Sequence, residues 1–166
     1  MRILVLGIGN LLLGDEAVGV RIVEALEQRY QLPAHVEVLD GGTSGMELME
    51  VMANRDHLIV ADAVLTGSAP GSVVVLHDEE IPALFTRKVS PHQLGLSDVL
   101  MALRLTDEFP QRLTLVGVVP QSLEPGIGLT TAVGQAIEPA LAQVLAALQH
   151  SGVLAEPKEV ANADSD

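Results

Sequence analysis

The chain has 166 residues, 48% of them hydrophobic but only 2% aromatic, and a formal net charge of -13; that suits one domain with a core of Leu, Val, Ile and Ala. The charge argues against nucleic acid, whose affinity comes largely from Lys and Arg neutralising phosphates, and against an anionic membrane; so few aromatics also argue against stacking bases along a single strand. There is no cysteine, which excludes disulfides, thiolate zinc sites, iron–sulfur clusters and cysteine nucleophiles, so any metal site must be built from His, Asp and Glu.

The N-terminal run MRILVLGIGNLLLGDE carries one Arg and no small-residue cleavage site, so it reads as a buried first strand over residues 2–8 and not as a signal peptide. No apolar stretch reaches the roughly 18 residues that span a membrane, and the expected compartment is the cytoplasm. A helix follows over Glu16–Tyr30, with Asp15 at its N-cap. Val36–Leu39 is a second strand ending at Asp40. After the Gly41-Gly42 turn, Ser44 and Glu47 fit a capping box for a helix to Asn54. His57–Ala61 is a third strand ending at Asp62. Pro70-Gly71 marks a turn before a fourth, Ser72–Leu76. The link between those two strands is too short for a helical crossover, which predicts an antiparallel strand at a sheet edge. Ser90-Pro91-His92-Gln93 opens a third helix, with Ser90 as cap and Pro91 at the first helical position. Leu113–Val119 is the fifth strand. The last helix spans Thr131–Gln149, with Val133, Ile137, Leu141, Val144 and Leu148 on one face and Pro139 placed to kink it.

This order predicts one three-layer α/β domain over residues 1–155. Its sheet is twisted, five-stranded and mostly parallel with one antiparallel strand, and helices cover both faces. The acidic tail, residues 156–166, is expected to be disordered.

In such sheets, sites form beyond the carboxyl ends of the strands. Asn10, Asp15 and Glu16 fall there after the first strand, Asp40 after the second and Asp62 after the third, with His92 at the start of the third helix. Glu16 sits where an acid complements a helix dipole. Asp62 ends an apolar run, where a carboxylate is costly unless paired, hydrogen-bonded or metal-bound. The helix start disfavours the imidazolium of His92, and a neutral His ligates metals. Glu16, Asp62 and His92 thus supply two oxygens and one nitrogen, a set suited to zinc or nickel with open positions. His35, His57, His77 and His150 are expected at the surface. No G-x-S-x-G elbow supports serine catalysis. Thr43 and Ser44 read as helix-start residues, and Gly41-Gly42 can leave backbone N–H groups open to a peptide or an oxyanion. A dinucleotide site is the rival: Gly7-x-Gly9 follows a strand and Asp40 ends the next, but Leu12 stands at the third glycine position.

GIGNLLLGDEAVGVR (Gly7–Arg21), LDGGTSG (Leu39–Gly45), ADA (Ala61–Ala63) and SPHQLG (Ser90–Gly95) resemble the hydrogenase maturation proteases, in that family's order and spacing over about residues 1–150. Ala17 stands where many relatives carry glycine. The resemblance implies an endopeptidase that removes a C-terminal extension from the precursor of a nickel-iron hydrogenase large subunit once nickel is inserted. It places the family's metal-contacting residues on Glu16, Asp62 and His92, and its substrate-engaging glycine-rich loop on Asp40, Gly41, Gly42 and Thr43. The nickel would come with the substrate, and zinc or cadmium would substitute for it. Two other readings stay open beside it: a self-contained peptidase with its own zinc, and a non-catalytic nickel-sensing chaperone.

Overall fold

The computed structural model describes residues 1–78, 80–81 and 91–158, without the side chains of residues 91–95 and 97. Its main sheet contains β1 (Ile3–Ile8), β3 (Val36–Gly42), β4 (His57–Ala63), β5 (Val73–His77) and β6 (Arg112–Val118), in the order β3-β1-β4-β6-β5. β1 pairs in parallel with β3 and β4, and β4 with β6; β5 runs antiparallel to β6 at the edge, as the short preceding link dictates. The helices are α1 (Val18–Arg29), α2 (Met49–Met52), α3 (Pro91–Leu105) and α4 (Thr131–His150), and β2 (Tyr30–Gln31) pairs with β7 (Glu156–Pro157) in a separate two-stranded ribbon.

The continuous apolar runs of β1 and β4 have a direct cause: both sheet faces are covered. Side chains alternate between two cores. Ile3, Val5, Ile59, Ala61, Val116 and Val118 face one core with α1 and α4. Leu4, Leu6, Ile8, Leu58, Val60, Leu113 and Leu115 face the other, with Met52 of α2 and Val99, Leu100 and Leu103 of α3. Burying one such side chain contributes roughly 1.5–3 kcal/mol, so the central strands anchor the fold.

Four local expectations are corrected. Asp15 is not an N-cap but the second residue of a 3-10 turn, Gly14–Ala17, that precedes α1. The second helix is shorter than Ser44–Asn54: a 3-10 turn, Met46–Leu48, leads into the four residues of α2, and Glu47 Oε1 accepts the Gly45 N–H at 3.0 Å. Residues 156–158, where the tail was expected to begin, are tied down. Glu156 and Pro157 pair with Gln31 and Tyr30, and Lys158 donates its N–H to the Arg29 carbonyl at 2.8 Å and its Nζ to the Glu27 carbonyl at 2.6 Å. The rest of the tail lies outside the described residues. Finally, α4 is long and apolar enough to cross a membrane by length and composition alone. Its Val133, Ala140, Leu141, Val144 and Leu148 are buried in the core shared with α1, the arrangement of an internal helix.

Candidate active site

The carboxyl ends of β1, β3, β4 and β6 lie along one edge of the sheet. Past β1 the chain turns through Asn10, whose Oδ1 accepts the Leu12 N–H at 2.9 Å, and enters the Gly14–Ala17 turn. The glycines of this motif are demands for space. A Cβ on Gly9 would lie 2.0 Å from the Glu16 carbonyl oxygen. A Cβ on Gly19 would lie 2.2 Å from the Ala61 carbonyl oxygen and 2.4 Å from that of Ile8, and one on Gly7 2.6 Å from Val23 Cγ2. None of these distances is sterically allowed. Their absence lets the turn press on the end of β1 and lets α1 lie directly on β1 and β4. The space that a nucleotide would need beside Gly9 is filled by the backbone of Glu16, which removes the dinucleotide reading.

Glu16 is therefore 7% exposed, on a turn that packs against β4. Asp62, the sixth residue of β4, is wholly buried, and its Oδ1 accepts the Ala63 N–H at 2.8 Å. Two buried carboxylates are thus carried on a turn and a strand that pack together, a placement that costs free energy unless charge or hydrogen bonding offsets it. The Asp40–Thr43 loop lies beside the turn, but β3 runs on past the expected end at Leu39, so Asp40, Gly41 and Gly42 are its last residues and not a turn. Asp40 Oδ1 accepts the Gly42 N–H at 2.8 Å, and the Gly9 N–H donates to the Gly42 carbonyl at 2.9 Å, so Gly9 touches both this loop and Glu16. A register shift between β1 and β3 sets Gly7 opposite Asp40 and Ile8 opposite Gly42, which turns the loop over the strand end. Gly41 is buried, where a Cβ would crowd Leu6 Cδ1 at 2.9 Å; Asp40 and Thr43 are exposed. Neither Thr43 nor Ser44 caps α2. His92 is the second residue of α3, but its side chain lies outside the described residues. Among the described residues, no cluster of three acids or histidines suited to a metal is complete.

The structure gives a role to Asp15, which the sequence places at the end of the first strand and suggests as a cap. Asp15 is wholly buried. Its Oδ2 accepts the N–H of Gln121 at 2.9 Å, the N–H of Ser122 at 3.0 Å and the Thr130 hydroxyl at 2.8 Å; its Oδ1 accepts the Thr130 N–H at 2.7 Å. Burial alone would raise its pKa, but the donors from Thr130, Ser122 and Gln121 outweigh that and hold the carboxyl below its ordinary value. Asp15 thereby fastens the loop between β6 and α4 to the turn that carries Glu16. The legible signal was an acid doublet at a strand end, but its partners are more than a hundred residues away in sequence.

His57 is also corrected. It is 1% exposed, with Nδ1 2.6 Å from Ser151 Oγ and Nε2 2.8 Å from Thr114 Oγ1. Burial, reinforced by the nearby Arg112 charge and only partly opposed by Asp78, lowers its pKa to about 4. It lies at the start of β4, the end of the strand opposite Asp62. His35, His77 and His150 are exposed as expected.

Comparison with known proteins identifies the family and the fold. The model of the hydrogenase maturation protease family matches residues 20–147. The hydrogenase 2 maturation protease of Escherichia coli (strain K12) is 71% identical over 160 residues, spanning 96% of this chain and 98% of that protein. A hydrogenase expression/formation protein of Azotobacter chroococcum is 48% identical, over 95% of this chain and 77% of its own length. The solved structure of a hydrogenase maturating endopeptidase from E. coli superposes with a TM-score of 0.93 at 70% identity, covering 95% of this chain and 98% of that one.

Proposed function

The chain belongs to the hydrogenase maturation protease family, and from that premise we propose how it works: it is an endopeptidase that trims the C-terminus of a nickel-iron hydrogenase large-subunit precursor, and it reads the nickel that this substrate already carries. The observation that supports the metal reading is the burial of two carboxylates, Glu16 and Asp62, on a turn and a strand that pack against each other. A divalent cation brought by the substrate offsets the charge concentrated there, and two oxygens with the nitrogen of His92 form a donor set that suits nickel. Glu16, Asp62 and His92 complete the metal's coordination only when the metal is present, so the extension is held for cleavage only in a loaded precursor. Zinc or cadmium, which accept the same donors, would substitute. Asp40, Gly41, Gly42 and Thr43 engage the extended peptide beside the metal, with Asp40 holding the loop in its turned shape. We place the reaction in the cytoplasm; the apolar N-terminal run is β1, a central strand buried between β3 and β4.

The test is cleavage of nickel-loaded precursor by Glu16→Gln, Asp62→Asn and His92→Ala. Each is expected to lower the rate by roughly two orders of magnitude or more while the fold is kept. Undiminished cleavage by any one of them removes that residue from the metal set. Stoichiometric zinc in the freshly purified protein would instead favour a peptidase with a resident metal.

A further inference from the structure

Beside the site stands an apolar surface that the cleavage chemistry does not use. Leu12 is 63% exposed and Ile127 is 82% exposed. They lie on two loops that are stitched together: the Gly126 N–H donates to the Leu12 carbonyl at 2.9 Å, the Gly14 N–H donates to the Gly126 carbonyl at 2.9 Å, and Leu13 and Gly126 form a parallel bridge. Leu11, 39% exposed, precedes them. Ile127 is framed by Gly126 at φ +158° and Gly128 at φ +100°, conformations that L side chains rarely adopt, and a Cβ at either glycine would meet open space. The backbone there is shaped to hold one large aliphatic side chain out into water.

This display is fixed rather than floppy. The buried Asp15 carboxylate takes four hydrogen bonds from Gln121, Ser122 and Thr130, at both ends of the loop. The Asp15 N–H also donates to the Ser122 carbonyl at 3.0 Å. An ordered loop that keeps Leu and Ile exposed forgoes the burial such side chains otherwise gain, and surfaces of this kind mark contacts with a partner. Asp15 is the neighbour of Glu16 on the same turn, so the loop that carries Ile127 is tied by hydrogen bonds to the turn that carries Glu16.

We propose that Leu12 and Ile127, held in place by Asp15, form a docking ledge for an apolar patch on the folded body of the large-subunit precursor, separate from the Asp40–Thr43 segment that engages its C-terminal extension. This rests on the protease reading above. The occupant is the precursor because the ledge is continuous, through Asp15 and the Leu12–Gly126 bridge, with the turn that must meet the precursor's metal. Since the contact is apolar, docking is independent of nickel: the ledge brings the precursor in, and the metal set then admits or rejects it. Asp15 is a positioning residue in this scheme.

The experiment is steady-state cleavage of nickel-loaded precursor by the wild type, by a Leu12→Ser/Ile127→Ser double variant and by Ile127→Val, with thermal unfolding of each. The double variant is expected to raise KM roughly ten- to a hundredfold at unchanged kcat, because two exposed anchors are lost and no metal ligand is touched. Ile127→Val is expected to keep KM within a few-fold of the wild type. Direct binding of nickel-free precursor should weaken by the same factor in the double variant and persist in Glu16→Gln. A double variant with wild-type KM and wild-type binding overturns the ledge while leaving the protease reading intact. A wild type that leaves loaded precursor uncut overturns the reading itself, and the ledge's occupant with it.

Discussion

Gly19→Ala is the sharpest perturbation of the site's framework, because one methyl group is set against two backbone carbonyls. The new Cβ would stand 2.2 Å from the Ala61 oxygen and 2.4 Å from the Ile8 oxygen. An ordinary carbon–oxygen contact needs a separation greater by about 1 Å, so α1 must lift off β1 and β4 by about that much. Backbone cannot step aside as a flexible side chain can. Overpacking of this kind costs about 1–3 kcal/mol and occasionally more. Alanine returns up to about 1 kcal/mol through helix propensity, and since two backbone carbonyls are struck at once the steric cost is at the upper end, leaving a net loss of about 2 kcal/mol. For a chain of this size that lowers Tm by about 4–8 °C. Because α1 continues directly from the turn that holds Glu16, the same displacement moves that carboxylate relative to Asp62. A misplacement of about 1 Å at a reacting centre can cost about a hundredfold in rate. The assays are thermal unfolding and cleavage of loaded precursor. A variant with wild-type Tm and wild-type kcat would refute the claim that the motif glycines exist to seat α1 on the sheet.

Three further outcomes are expected. Asp15→Ala leaves the part-buried donors of Gln121, Ser122 and Thr130 without their acceptor, costing roughly 1–3 kcal/mol, and hydrogen exchange should show amides 121–130 losing protection before the core strands; uniform protection would count against the clamp. His57 is held neutral with a pKa of about 4 against an ordinary 6.5. Its folded value is depressed, so its contribution is complete above about pH 6.5 and is lost as the unfolded chain takes up protons between pH 6.5 and about 4, by at most about 3 kcal/mol; denaturant unfolding of the wild type and of His57→Gln across that range should diverge, and parallel curves would contradict it. Asp40→Ala removes the bond from the Gly42 N–H and is expected to cost about 1 kcal/mol or less in stability but to raise KM for the precursor, since the loop loses its fixed shape; an unchanged KM would remove Asp40 from substrate engagement.

Much of this architecture was readable in the chain because its physical causes are local. The unbroken apolar runs of β1 and β4 required a sheet covered on both faces, and the short link before β5 required an antiparallel edge. The positions of Glu16 and Asp62 followed from strand ends alone. What escaped is what depends on distant partners. Asp15 looked like a helix cap because an Asp before a helix usually is one, while its true partners, Gln121, Ser122 and Thr130, come from the other half of the chain. His57 read as a surface residue at the start of a strand, yet Ser151 and Thr114 enclose it from elements far along the sequence. The ribbon of Tyr30 and Gln31 with Glu156 and Pro157 left no trace in periodicity, because two-residue strands have none.

The central claim is that the enzyme cuts only a precursor that already carries nickel, and intact-mass measurement tests it most directly. Purified large-subunit precursor, loaded and unloaded, is incubated with the protein and weighed. Loss of a C-terminal peptide from the loaded form alone is the predicted result; equal trimming of both forms, or of neither, would contradict it.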